Sequence, residues 1–308
     1  MPPESRLLSE PYAGLQAQAF GLAEAAGLDP TLCPLRPGRP WSWMPAAFWP
    51  APLAAVGLRA PPAGLLLSVG GTGGAGGAAC HRRGSVVVQV QNPRIALRHF
   101  DLVVANAHDG LHGPNVIVTR TALHRATPAR LAAAAAEWAP RLAHLPRPLV
   151  TVLVGGSNGR FRLGAAEGAA LAGQLAAMMG RDRAGVALTP SRRTAPGVRR
   201  VLHQVLDPLG AWIWDMEGPN PYFGLLALAD AIIVTTDSIS MMSEAVATHA
   251  PVMLADLPGR SRRIERFRQT LLAEARVRPY AGRLETWPVQ PVDDTPQAGR
   301  EVRNRLGL

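Results

Sequence analysis

Lysine is absent from this sequence: all 32 basic residues are arginine. That absence excludes a Schiff-base or pyridoxal-phosphate lysine, a phosphate-loop lysine and the Tyr-x-x-x-Lys pair of a dehydrogenase or epimerase. Only two cysteines occur, Cys33 and Cys80. They are too few for a disulfide scaffold or a zinc site and suit a reducing compartment. Aromatics are scarce, at 5%. There is no run of 18 uncharged apolar residues, so no membrane-spanning helix is expected. The opening MPPESRLLSEPY has no basic segment followed by an apolar one, so no signal peptide is expected either.

What is present describes a packed globule. The 308 residues are 47% hydrophobic and 18% charged, enough for one large domain or two of about 150 residues. The net charge of +10 favours anionic ligands such as nucleoside diphosphates or anionic lipid surfaces. Nucleic acid is not expected, because the arginines are dispersed among Gly, Pro and Ala. Short β-branched runs alternate with helical segments, which predicts parallel α/β sheets. Strands are expected at 7–9, 65–69, 85–90, 100–104, 149–153, 184–188, 211–214, 231–234 and 252–254. Helices are expected at 15–27, 128–142, 165–179 and 196–206, with a last one near 298–306 that could cross back over the first half. The two halves, 1–145 and 146–308, read as two Rossmann-like domains facing a central cleft.

The segment 220–252, NPYFGLLALADAIIVTTDSISMMSEAVATHAPV, carries the most chemistry. The apolar strand at 231–234 runs into Thr235, Thr236, Asp237, Ser238 and Ser240, and a helix opens near Ser240. Hydroxyls and unpaired backbone N–H groups then meet beyond the carboxyl end of a strand, where α/β proteins hold phosphate. One helix cap needs a single such side chain. Glu244 follows four residues on, in reach of a ribose hydroxyl. Two more loops end strands of the same half. GGSNGR (155–160) offers Gly155, Gly156 and Ser157, whose glycines allow close backbone approach. TPSRRT (189–194) offers Ser191, Arg192 and Arg193 to phosphate oxygens.

In the first half, GGTGGAGG (70–77) matches G-x-G-x-x-G after a strand. The next strand ends Gln89, Val90, Gln91, Asn92, without the acid that would hold an adenosine ribose, so NAD is not expected, and a glycine loop facing the inter-domain cleft is. In NAHDGLHGPN (106–115), His108, Asp109 and His112 have a metal-like spacing, but Gly110, Gly113 and Pro114 argue against the helix it would need. No metal is expected; His108 or Asp109 as general base is. Trp41, Trp43, Met44, Phe48 and Trp49 are expected in the core, and if exposed would form a membrane-surface or lipid-acceptor patch. GRSRRIERFR (259–268) reads first as a solvated charged face, and otherwise as a partner for anionic lipid or a diphosphate.

These motifs, in order, resemble the elongated-mitochondria (mitochondrial fission) family. The matching pieces are Gly14 to Gln18, FDLVVANAHDGLHGPN (100–115), VGGSNGR (154–160), TPSRRT, NPYFGLLALAD (220–230), TTDSISMMSEAV (235–246) and RFRQTLLAEARVRPY (266–280). The serine-rich turn is also similar to the donor segment of the lipid-II-forming N-acetylglucosaminyltransferase. The resemblance implies the B-type glycosyltransferase fold and, for bacterial members, metal-independent transfer of a sugar from a nucleoside diphosphate donor, with no cofactor. It places Asn220 with the donor-side residues above and Gln18 and Asn115 on the acceptor side. The acceptor is unassigned, with lipid-linked and membrane-surface acceptors as candidates. The implied location is the cytoplasm, or peripheral on the inner face of the membrane. Plant members act in organelle division by recruiting a partner, so a non-catalytic adaptor is the alternative.

Overall fold

The computed structural model describes residues 4–58 and 64–308. Residues 1–3 of the expected leaderless N-terminus, and the end of the Pro- and Trp-rich stretch at 59–62, lie outside the described residues. The chain divides into two compact units, Met1–Arg125 with Asp293–Leu308, and Ala126–Val292. The division falls at Ala126 rather than near 145 because the helix Pro128–Leu142 packs on Tyr222–Leu228. There Gly224 lies so close to Trp138 that a Cβ would sit 2.4 Å from its ring.

In unit 1 the elements run β1 (Ser5–Ser9), α1 (Ala13–Ala25), β2 (Thr31–Pro34), α2 (Pro52–Ala55), β3 (Leu65–Val69), α3 (Gly70–His81), β4 (Val86–Val90), β5 (Leu102–Asn106) and β6 (Val116–Thr119). All strands are parallel, in the order β2-β1-β3-β4-β5-β6. The central strands LLLSV and LVVAN are buried throughout, as both faces of a parallel sheet demand.

Unit 2 follows with α4 (Pro128–Leu142), β7 (Leu149–Val154), α5 (Ala165–Asp182), β8 (Gly185–Pro190), α6 (Pro196–Leu206), β9 (Trp212–Ile213), α7 (Tyr222–Leu228), β10 (Ala231–Thr235), α8 (Ile239–Val246), β11 (Val252–Ala255), α9 (Arg262–Ala273) and β12 (Val277–Pro279). Its strands are also all parallel, ordered β12-β11-β10-β7-β8-β9. Leu175, Met178 and Phe267 are closed to solvent between sheet and helices, each worth about 1.5–3 kcal/mol of burial.

The last helix, α10 (Thr295–Leu306), belongs to unit 1 and packs on α1. Gly299 allows this: a Cβ there would lie 2.4 Å from the Ala25 carbonyl carbon. Arg120 holds the start of α10 through Asp294 at 2.8 Å.

Two further expectations change. The glycine run 70–77 is not a loop but most of α3, buried along nearly its whole length. A Cβ at Gly77 would meet Ser68 Oγ at 2.6 Å, so glycine here lets a helix lie directly on β3. The aromatic stretch is only partly core. Trp49 is buried, its Nε1 donating to the carbonyls of Trp41 (3.0 Å) and Met44 (3.2 Å), whereas Trp43 and Phe48 are 71% and 72% exposed.

Candidate functional site

In each sheet the strand order reverses at one point, and ligands of open α/β sheets bind beyond the carboxyl ends of the strands there. In unit 2 this is the junction of β7 and β10, which places Gly155–Gly156 beside Thr235–Asp237.

Asp237 is the hub of that junction, its side chain closed to solvent. Its carboxylate accepts from Thr235 Oγ1 (2.7 Å) and from the Gly156 N–H (3.1 Å), and pairs with Arg193 Nη2 at 2.6 Å. Thr235 Oγ1 in turn accepts from the Gly155 N–H at 2.8 Å, and Arg193 Nη1 donates to the Gly156 carbonyl at 3.0 Å. The glycines are required: a Cβ on Gly155 would stand 2.1 Å from Asp237 Oδ1, and one on Gly156 would stand 2.1 Å from the Arg193 carbonyl. One buried charge therefore ties together the loops after β7, β8 and β10.

Other site candidates hold their own loops. Ser157 Oγ accepts from the Leu163 N–H at 2.9 Å, Ser191 Oγ from the Arg193 N–H at 3.2 Å, and Thr236 Oγ1 from the Leu257 N–H at 3.3 Å. Asn220 Oδ1 accepts from the Tyr222 N–H at 3.0 Å. At the front of the junction, Ser238 and Ser240 are half-buried and Arg192 is exposed. Ser238 caps α8, accepting weakly from the Met241 N–H at 3.4 Å. No acidic residue follows in the first turn, so the partial positive charge of the helix start stands uncancelled within it.

Glu244 is buried on α8 and accepts from the Tyr222 hydroxyl at 2.5 Å. Burial pushes its pKa up to about 7, against the opposing pull of that hydrogen bond. The Tyr222 hydroxyl is itself driven well above 10, by burial first and then by Glu244. At the far end of α8 the buried Arg276 donates to the carbonyls of Val246, Thr248 and Ala250 at 2.8–3.2 Å. Burial lowers its pKa to about 10. Sequence reasoning missed Tyr222, Thr194, Asn158 and Arg276. Thr194 Oγ1 meets the carbonyls of Val154 and Gly155, and Asn158 Nδ2 donates to the Asp237 carbonyl at 3.3 Å. Nothing in the local spelling marks these contacts, since each joins residues at least 22 positions apart.

In unit 1, His108 and Asp109 lie in a short 3-10 turn after β5, with His108 Nε2 4.0 Å from Asp109 Oδ1 and side chains 2% and 7% exposed. His112 is exposed, and among the described residues no three His, Cys, Asp or Glu side chains gather as a metal site. Gln18 is buried and accepts from Gln91 Nε2 at 2.9 Å. Asn115 donates to the carbonyls of Leu97 (2.9 Å) and Phe100 (2.8 Å), bracing its own loop. Gln89, where a dinucleotide fold would carry its acid, is engaged with Ser68 Oγ and the Gly70 and Val90 carbonyls. Unit 1 has a hollow of about 360 Å³ at its own strand-order reversal, β1/β3, walled by Glu10, Tyr12, Arg36, Trp41, Trp49 and Thr72. Among the described residues no helix is long and apolar enough to cross a membrane.

Solved structures share this architecture. The UDP-GlcNAc 2-epimerase of Methanocaldococcus jannaschii superposes with TM-score 0.56 at 12% identity, covering 99% of both chains. The Neisseria meningitidis UDP-GlcNAc 2-epimerase, solved with UDP-GlcNAc, gives 0.55 at 13%, covering 98% of both. A UDP-glucosyltransferase from Polygonum tinctorium gives 0.54 at 13%, covering 100% of this chain and 93% of that one. At these identities the likeness establishes the fold, that of the B-type glycosyltransferases. In sequence, the mitochondrial fission protein ELM1 of Arabidopsis thaliana is 32% identical over 249 residues, 71% of this chain; the chain spans 58% of that relative's length. The model of the family described as mitochondrial fission ELM1 matches residues 13–306, and the chain belongs to that family.

Proposed function

We propose that unit 2 binds a nucleoside diphosphate sugar at the β7/β10 junction and that the chain transfers the sugar to an acceptor taken by unit 1, with no metal or cofactor. The observation that carries this reading is the Asp237 hub, which fixes three polar loops at one sheet edge around the start of α8. Arg193 cancels the Asp237 charge there, so an incoming diphosphate meets the helix dipole, Ser238, Ser240 and Arg192 rather than a bare carboxylate. Glu244, shared with Tyr222, takes a ribose hydroxyl. The solved neighbours named for UDP sugars make those the first donors to test.

On the acceptor side, Gln18 and Asn115 orient the acceptor or its loop, and His108 or Asp109 removes the hydroxyl proton. The exposed Trp43, Phe48 and Tyr12 support a membrane-surface or lipid-linked acceptor, with the protein peripheral to the inner face of the membrane. A second reading, a non-catalytic adaptor that keeps the fold, is favoured by the burial of His108 and Asp109, since a base must reach its substrate.

A thermal-shift screen of UDP and GDP sugars tests donor binding. A donor at 100 times its Kd should stabilise the protein by about 2.7 kcal/mol. Binding followed by sugar release or transfer supports the enzyme; binding without turnover supports the adaptor; no stabilisation by any nucleotide sugar overturns the donor reading.

A further inference from the structure

Unit 2 contains a second hollow, of about 590 Å³, where the loop after β11 enters α9. Its walls include Phe161, Arg260, Ser261, Arg262, Arg266 and Arg268. The walls are well fixed. Phe161 and Gly259 form an isolated antiparallel bridge, and the Arg162 N–H donates to the Pro258 carbonyl at 2.9 Å. Gly259 has φ +145°, and a Cβ there would lie 2.1 Å from the Arg160 carbonyl oxygen, so the two loops are held at a distance only glycine allows. Asn158 connects this wall to the donor junction: its Oδ1 accepts from the Phe161 N–H at 2.9 Å while its Nδ2 donates to the Asp237 carbonyl at 3.3 Å.

The charge around the hollow is unbalanced. The two acids in its lining, Asp256 and Glu265, both pair with Arg268, at 3.0 and 3.5 Å. Arg260, Arg262 and Arg266 make no ion pair among the described residues. Neither does Arg160, whose Nη1 donates to Ser261 Oγ at 3.0 Å. Three like charges line one fixed hollow, with Arg160 bonded to its Ser261 wall; they repel one another, and an anion placed there removes that cost. Guanidinium groups favour carboxylate and phosphate, which they can bind in bidentate fashion.

We propose that this hollow binds a carboxylate or phosphate group carried by the sugar of the donor, so that the donor of unit 2 is an acidic nucleotide sugar. The anion site stands on the arginines alone; its assignment to the donor rests on the nucleotide-sugar reading. The exposed arginines can be changed together to Arg260→Gln/Arg262→Gln/Arg266→Gln without disturbing the core, which circular dichroism checks. In the wild type, inorganic phosphate should cause saturable shifts in the Nε–H resonances of Arg260, Arg262 and Arg266. The triple variant should bind phosphate about ten-fold more weakly or worse. Calorimetry should then show UDP-glucuronate binding at least about five-fold tighter than UDP-glucose, with the preference lost in the variant. No saturable shift, or equal phosphate affinity in both proteins, overturns the anion site. Phosphate binding with no preference between the two nucleotide sugars overturns the acidic donor and assigns the anion to a separate phosphorylated ligand. Phosphate binding with neither sugar bound leaves the anion site standing while the donor reading fails.

Discussion

The glycines after β3 and after β7 occupy equivalent places, each following a central parallel strand beside the strand-order reversal of its sheet. Their uses are opposite. After β3 they continue as α3 and let a helix touch Ser68 and Pro93, so the glycine serves packing. After β7 they stop at two, and the chain turns to bring the Asp237 carboxylate and the Arg193 carbonyl to 2.1 Å from where a Cβ would stand, far inside van der Waals contact. The first is a helix that buries its small residues; the second is a polar turn around a buried charge. A glycine run after a strand therefore announces close approach, but not whether the approaching group is core or ligand site. The neighbours decide: Ser68, Val87 and Pro93 in one case, Asp237 and Arg193 in the other.

The sharpest way to break this contrast is to remove the charge. Asp237→Ala leaves the Gly156 N–H without its acceptor, takes the ion pair from Arg193, which keeps only the Gly156 carbonyl, and opens a space at the junction. It should destabilise unit 2 by about 3–5 kcal/mol, measured by urea denaturation, and abolish nucleotide binding. A loss below about 1 kcal/mol would mean that the hub does not hold the three loops.

Glu244 provides a slightly smaller effect, with a pH signature. Its folded pKa of about 7 lies above the ordinary value of 4.5. The unfolded chain therefore loses this proton first, and ionisation costs the native state as pH rises. The stabilising contribution is complete below about 4.5 and gone above about 7. Between those limits wild-type stability should fall by roughly 2–3 kcal/mol relative to Glu244→Gln, which cannot titrate. Parallel stability curves for the two proteins from pH 4.5 to 7.5 would rule out the raised pKa.

Ser238→Ala with Ser240→Ala comes next. Losing two hydrogen bonds to a charged group should weaken UDP binding by about 1–3 kcal/mol in calorimetry. Ser238 also caps α8, so a separate stability loss of about 1 kcal/mol is expected and is measured without ligand. Unchanged UDP affinity would move the diphosphate away from this turn.

Much of the fold can be read from single segments. VVVQV, LVTVLV and AIIVT are spelled as doubly buried strands, and apart from the exposed Val86 each is buried throughout. Edge strands are less legible. TLCP is largely exposed and ends in proline, so it lacks the apolar run of a central strand, whereas VIVT is apolar but only four residues long and exposes Val118. At the site, the serine-rich turn and both arginine-bearing loops stand out because each follows such a run directly. The hub does not, because Asp237 looks like any residue before a helix until Gly155, Gly156 and Arg193, about 40 to 80 residues away, fold against it. The same holds for Tyr222 and Glu244. Contacts between loops of different strands depend on sheet order, and no local period encodes sheet order.

The smallest expected effect has the opposite sign and separates the two glycine runs most cleanly. Gly71 lies in the first turn of α3, with no positive φ and nothing within 4 Å of the place a Cβ would take. Alanine there adds helix propensity and narrows the unfolded ensemble without a clash, so Gly71→Ala should stabilise unit 1 by about 0.5–1 kcal/mol. Gly155→Ala, one substitution of the same kind after the other strand, drives a methyl into Asp237 at 2.1 Å and should destabilise instead. Paired urea titrations of the two variants read both signs directly. If Gly71→Ala also destabilises, the start of α3 needs glycine for something other than packing, and the cleft-facing reading of that run returns for its first turn. If Gly155→Ala is neutral, the junction yields easily, and the Asp237 hub is too soft to hold the three loops in place for a diphosphate.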